Sequence, residues 1–366
     1  MVGVAIGEAR RDGTQTAVAT GRTPGSLAVI CGDRDGQRHV APARGIVANC
    51  PCIVPGFNQH YYPTPRRKGK PPIYSRTVDP MTVLPDLGAV RQRMGRSLFG
   101  MVAGPDGPAN RARIHETPGP RWFGEDRPIR QVHADAAMFV GGLRALLFQS
   151  LHPLAMAGVA EHSDYRGDPW GRLQRTSTFL AVTTFGPAAD AQRAVDRVRG
   201  IHRRVNGIAP DGRPYHASDP HLLEWVHVAE VDSFLVAHRL YGAAPLDQSG
   251  RDGYVADTAR VAAALGVPDP PRTETQLRER IEAFRPELSG TPAAREAARF
   301  LLLTPPLPIA ARAPYGLLAA ASVSMLPAWA RMPLLLPYFP PVEATVIRMA
   351  GRAAVGGIRW AMTAGR

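Results

Sequence analysis

Beyond about residue 95 the chain is punctuated by helix starts and helix stops, and that punctuation restricts its fold more than any other feature. Pro187 can take the first position of a helix that runs to Asn206, with Gly207 as its stop. Ser218 or Asp219 caps the next, which Pro220 opens and which continues to Tyr241, with Gly242 after it. Asp247 to Leu265 reads as helix stopped by Gly266, and Thr273 with Gln276 makes a capping-box pattern for a helix through Phe284. Thr291-Pro292 opens another, ended by Pro305-Pro306. Ala134 to Leu151 is apolar on nearly every face, as a buried helix must be; Pro153 breaks it and Leu154 to Glu161 resumes a turn or two. Alternation with period two is scarce, and Phe179 to Phe185, the one tempting stretch, reads equally well as helix. The fold class is all-α, a single large helical domain over residues 95–366.

Residues 1–94 differ. Ten prolines fall between Pro24 and Pro85, no helical period emerges, and Arg66-Arg67-Lys68-Gly69-Lys70-Pro71-Pro72 forms a basic, proline-containing linker. All three cysteines (Cys31, Cys50, Cys52) lie here, too few for a disulfide framework and, as Cys50-Pro51-Cys52, too closely spaced for a zinc knuckle. The expectation is an irregular, Pro/Gly-rich segment with a short strand at Leu27–Cys31, either disordered or not part of the natural product, since Met94 is a natural beginning for the folded part. This segment holds 13 basic and 6 acidic side chains, so it carries about half of the net charge of +13. The remaining surplus is arginine alone, scattered over helix faces rather than interleaved with aromatics, which argues against a nucleic-acid partner. No secretory signal and no run of 18 or more apolar residues is recognisable, so the chain is expected to be cytoplasmic, with late apolar segments in peripheral contact with a membrane.

Chemistry concentrates in the middle. Nine of the eleven histidines lie between His115 and His238. On a helical wheel, Ala191, Ala194, Val195, Val198, Ile201 and Val205 share one face of the Pro187–Asn206 helix, and His202 falls among them. Such an imidazole is either a core histidine satisfied by a buried acceptor or a metal ligand presented from an apolar wall. The Pro220–Tyr241 helix is apolar nearly all round, yet carries Glu224, His227, Glu230, Asp232 and His238. Buried ionisable groups need a partner or a metal. Glu224, His227 and His238 are therefore a second candidate centre, non-haem in type, although the second Glu-x-x-His that a di-iron bundle needs is missing. Arg172, Arg175 and Thr176 follow a turn at Asp168-Pro169 and fall at i, i+3 and i+4. There is no phosphate-binding glycine loop, no nucleophile elbow and no H-E-x-x-H.

The runs Gly141 to Pro153, Gly158-Val159-Ala160-Glu161-His162-Ser163, Asp168 to Thr176, Ile201-His202-Arg203-Arg204-Val205-x-Gly207 and Asp219-Pro220-x-Leu222-Leu223-x-Trp225-Val226-His227 together resemble the catalytic domain shared by the mycophenolate-pathway prenyl-cleaving oxygenase and the latex-clearing rubber oxygenases. The likeness covers roughly residues 95–360. It implies a globin-like helical core, haem b as cofactor and His202 as the proximal iron ligand. It also implies an Arg-x-x-Lys-Thr motif whose ends are Arg172 and Thr176, with Arg175 in the lysine's place; a guanidinium cannot ligate iron as an amine can. On that reading the partners are dioxygen and a small apolar, isoprenoid or otherwise unsaturated substrate. Arg172 and Thr176 steady bound oxygen, Arg172, Arg175 and Thr176 join His202 in binding the cofactor, and Glu161 takes an allylic proton. A haem protein without oxygenase activity, the non-haem centre, and a structural protein with satisfied histidines remain the alternatives.

Overall fold

The computed structural model describes residues 28–32, 38–42 and 86–363. The chain divides into two units, Met1–Val78 and Asp79–Arg366. In the first, strand β1 (Ala28–Gly32) pairs antiparallel with β2 (Arg38–Pro42), Ala28 opposite Pro42. The expected strand at Leu27–Cys31 is thus present one residue later, as half of a hairpin. The proposed Cys50-Pro51-Cys52 exclusion and the basic linker lie outside the described residues.

The second unit is all-α. Its helices are α1 (Leu87–Ala103), α2 (Gly107–Glu116), α3 (Pro128–His133), α4 (Met138–Gln149), α5 (Pro153–His162), α6 (Pro169–Phe185) and α7 (Ala188–His202). After a small hairpin, β3 (Asn206–Ile208) and β4 (Pro214–His216), come α8 (Pro220–Tyr241), α9 (Gln248–Leu265), α10 (Glu274–Phe284), α11 (Pro292–Leu303) and α12 (Ile309–Ser324). The short α13 (Ala328–Arg331) and α14 (Pro340–Val342) follow; α14 passes through a π-turn at Glu343–Ile347 into α15 (Arg348–Met362).

The caps read from sequence are made. Asp219 accepts from the His221 N–H, Thr273 from Gln276 and Thr291 from Ala294, each satisfying a first-turn donor that would otherwise be orphaned; Asp247, expected as the first residue of its helix, caps it instead and accepts from Gly250. Gly266 ends α9 at φ 120°, a conformation costly to any residue with a Cβ. Two boundaries differ from expectation. The first helix begins at Leu87, capped by Asp86, ahead of the expected boundary at 95. The α7 helix stops at His202 rather than Asn206: Arg204 and Val205 tighten onto Ile201 and His202, and the chain turns into β3. The hairpin wins because it buries Tyr215 against Ala157, Ala209 and Leu222. Gly207 makes that possible, since a Cβ there would lie 2.5 Å from the Tyr215 hydroxyl.

The centre of the unit is the α4–α8 pair. Half of the residues of α8 are buried, as its all-round apolarity requires. The helices approach closely at Gly141, where a Cβ would meet Phe234 Cδ1 at 2.8 Å. Beside that contact Arg144 is buried but fully engaged. It pairs with Asp232 at 2.7 Å, donates to Ser233 Oγ at 2.6 Å and to the Met325 carbonyl at 3.0 Å, and lies over the Phe148 ring. A buried cation without that set of partners would cost several kcal/mol. Around the pair, α12 packs on α4 and α15, α10 and α9 pack on α8, and α9 and α6 both flank α7. Helix α3 touches α6, α8 and α9, so it ties the α6–α7 layer to the central pair.

Candidate functional site

Arg172 and Thr176 lie one turn apart on α6, whose start is fixed by Asp168 accepting from the Gly171 N–H at 2.8 Å. The Arg172 side chain is half-buried and donates to Ser163 Oγ at 2.7 Å. Among the described residues it has no carboxylate partner, and burial pushes its guanidinium below the ordinary value. Arg175 turns outward and pairs with Asp168 at 3.1 Å, with its side chain 66% exposed. Thr176 is exposed.

Glu161, near the end of α5, accepts a hydrogen bond from the Tyr215 hydroxyl, which also meets His162 Nε2 at 3.0 Å. Burial, reinforced by Glu161, pushes the Tyr215 phenol to about 12. Glu161 is therefore tied to the β3–β4 hairpin, with 57% of its side chain exposed.

His202 is the last residue of α7. Ala191, Val195 and, less completely, Ala194 and Val198 continue its stripe inward, as the wheel requires. Ile201 departs from it and is 45% exposed. The His202 imidazole is half-buried and makes no hydrogen bond among the described residues; burial lowers its pKa, so it is neutral at pH 7 with a lone pair free. His133 on α3 makes the contrast. Its Nδ1 meets Thr184 Oγ1 at 2.8 Å and its Nε2 the Tyr254 hydroxyl at 3.2 Å, so both nitrogens are spent. That is how a core histidine is satisfied.

The candidate non-haem centre does not assemble. Glu224 pairs with Arg280 at 3.3 Å, although its Oε1 atom has no hydrogen-bond partner. His227 Nε2 is buried without a partner, and burial pushes this imidazole to about 4. His238 lies three turns further along α8, buried. Burial lowers its pKa against the opposing charge of Asp135. Glu230, one turn from His227, is lifted by burial to about 7. His133, His227 and Glu230 are deeply desolvated, yet each keeps some accessible surface.

Among the described residues, one set of three ligating side chains does converge: His152, His221 and Glu287, with their donor atoms within 4.8 Å of one another. His221 Nε2 lies 2.9 Å and His152 Nε2 3.4 Å from the Glu287 carboxylate. His152 is also the N-cap of α5, its Nδ1 accepting from the Ala155 N–H. That bond places the ring proton on Nε2, facing Glu287, so the set is built as a His–carboxylate–His clasp joining α5, α8 and the turn after α10. Burial pushes Glu287 up, but the two histidine bonds outweigh it and hold the carboxyl below its ordinary value. Sequence reading missed this clasp and His133; the one available signal was the histidine cluster itself.

Comparison with known proteins places these residues in context. The family model for the "ER-bound oxygenase mpaB/B'/Rubber oxygenase, catalytic domain" matches residues 130–360, which include every candidate side chain above. Uncharacterized proteins of Mycobacterium bovis and Mycobacterium tuberculosis are each 34% identical over 102 residues, 28% of this chain and 39% of theirs. The chain thus spans about two fifths of the length of these curated relatives. No solved structure matches. With its helical fold and a match over well more than half of its length, the chain belongs to the mpaB and rubber-oxygenase catalytic-domain family.

Proposed function

We propose that this chain is a haem b-dependent oxygenase acting on an apolar, unsaturated substrate of the isoprenoid class, with His202 as the iron ligand. The observation that carries the reading is the state of His202: neutral, half-buried, on the apolar stripe of α7 and without a hydrogen bond among the described residues. A half-buried imidazole with no hydrogen bond to the described residues leaves a ring nitrogen available to a metal.

The surrounding residues fit the same group. Arg172 is a half-buried cation lacking a carboxylate partner among the described residues, which suits a propionate. Thr176 adds a hydroxyl one turn away. Bound haem would supply dioxygen activation at iron. Arg175 cannot take the lysine's part as an iron ligand, because a guanidinium offers no lone pair, and its pairing with Asp168 gives it a structural task at the start of α6. Glu161 is solvated and committed to Tyr215. Glu230 is the carboxyl best suited to hold a proton near neutral pH.

The test is on the full chain, purified from a host supplied with haem precursor. A pyridine haemochromogen assay reads haem b, and an oxygen electrode reads uptake on addition of a polyisoprenoid alkene. Haem near one per chain with alkene-dependent uptake is the expected result. Haem without uptake would reduce the protein to a haem binder, and no haem would overturn the reading.

A further inference from the structure

The segment from α13 to α15 turns its apolar side chains outward. Met332 is 78% exposed, Leu335 69%, Phe339 63%, Val346 62% and Met349 69%, with Tyr338 and Val342 about half exposed. Val342, Val346 and Met349 recur at helical spacing through the π-turn, so they form one stripe. Leu335 adds to the case. It holds φ at 58°, the left-handed region that a branched side chain avoids, and in doing so presents its side chain to solvent. Exposed apolar side chains concentrated in one stretch of chain mark an interaction site.

Charge selects the partner. Residues 303–363 contain five arginines and one carboxylate, Glu343. Glu343 is committed to the buried Arg331, and Arg359 is paired with Asp135. Arg348 and Arg352 form no ion pair among the described residues, and Arg352 lies three residues from Met349 at the edge of the stripe. A recess of about 300 Å³, with Tyr338, Pro340, Ala344 and Arg348 in its wall, opens beside the stripe. Arginine flanking an apolar face matches anionic headgroups above acyl chains, and Tyr338 suits that boundary. A second copy meeting this face isologously would set arginine against arginine. No helix among the described residues is long and apolar enough to cross a membrane.

We propose that the α13–α15 face is a peripheral docking surface for an anionic phospholipid bilayer, with Leu335, Phe339, Val346 and Met349 entering the acyl boundary and Arg348 and Arg352 contacting phosphate.

The full chain is co-sedimented with vesicles of phosphatidylcholine alone and of phosphatidylcholine with phosphatidylglycerol in equal parts, at low and high salt. Binding to the anionic vesicles, weakened by salt, is expected. The Phe339→Ser/Met349→Ser double variant should reduce the partition coefficient about tenfold or more. Ile208→Ser, an equally exposed apolar residue on β3, should leave it unchanged. Circular dichroism shows that the variants keep their helices. Failure to sediment with anionic vesicles would overturn the proposal, as would equal loss in the Ile208 variant. So would a dimer in solution that dissociates in the double variant, since the face would then belong to a second copy.

Discussion

Replacing Glu230 by glutamine should stabilise the protein at alkaline pH and leave it unchanged in acid. Burial is the one cause that lifts this carboxyl from 4.5 to about 7. Between those values the folded chain keeps a proton that the unfolded chain has released, so stability falls as pH rises through the window. The penalty is absent below the unfolded value and complete above the folded one. A shift of that size corresponds to about 3 kcal/mol. Water on the accessible side of the carboxyl offsets part of it, so ~2 kcal/mol is the expected gain for a neutral amide of the same shape. His133 and His227 act in the opposite sense, because burial lowers them to about 3 and about 4. The unfolded chain takes up protons that these rings refuse, and stability therefore drops on acidification below 6.5. In the parent protein the two slopes overlap and partly cancel. The difference between parent and Glu230→Gln isolates the carboxyl. Guanidinium titrations of both, followed by helical circular dichroism in the same cofactor state at about pH 4.5 and about pH 8, give that difference. A difference near zero in acid that grows to ~2 kcal/mol in alkali is expected. A difference independent of pH, or a variant less stable at pH 8, would refute a carboxyl that burial alone keeps protonated.

Three further outcomes follow from the packing. Gly141→Ala drives a methyl into Phe234 and should cost about 1–3 kcal/mol in denaturant titrations, because the contact is between two central helices. Arg144→Met strands Asp232 and should cost about 3 kcal/mol, with Asp232→Asn in the same chain recovering part of the loss; full additivity would show that the pair does not couple. Glu287 is held below its ordinary value by His221 and His152 against burial, so its contribution is present above the unfolded carboxyl value and fades as pH falls through the lowered one. Glu287→Gln should therefore flatten the acid limb of a thermal-melt profile, and an unchanged limb would deny the clasp its electrostatic role.

The helices most legible in the sequence were those whose ends are set by local chemistry. Asp219-Pro220, Asp247, Thr273 and Thr291 each cap their own helix, and the capping bond spans no more than three residues. The β3–β4 hairpin was not legible, because what favours it over another turn of α7 is the burial of Tyr215 against a helix some fifty residues earlier. The same division holds at the site. His202 stood out because one polar side chain interrupted an apolar stripe on a single helix. The His152–Glu287 contact joins residues 135 apart, and no periodicity encodes that. Ile201 shows the limit of the wheel itself: a helix that ends at His202 leaves its final turn half open, and a residue assigned to the inner face meets solvent. The candidate non-haem set failed for a related reason, since Glu224 and His238 share a helix but lie three to four turns apart along it.

The central claim is that His202 carries the iron. The absorption spectrum of the purified full chain, recorded beside that of His202→Ala with circular dichroism confirming equal helix content, tests it most directly. A Soret band in the parent that is lost in the variant is the result this account predicts. A Soret band identical in both would contradict it and move the ligand to another side chain.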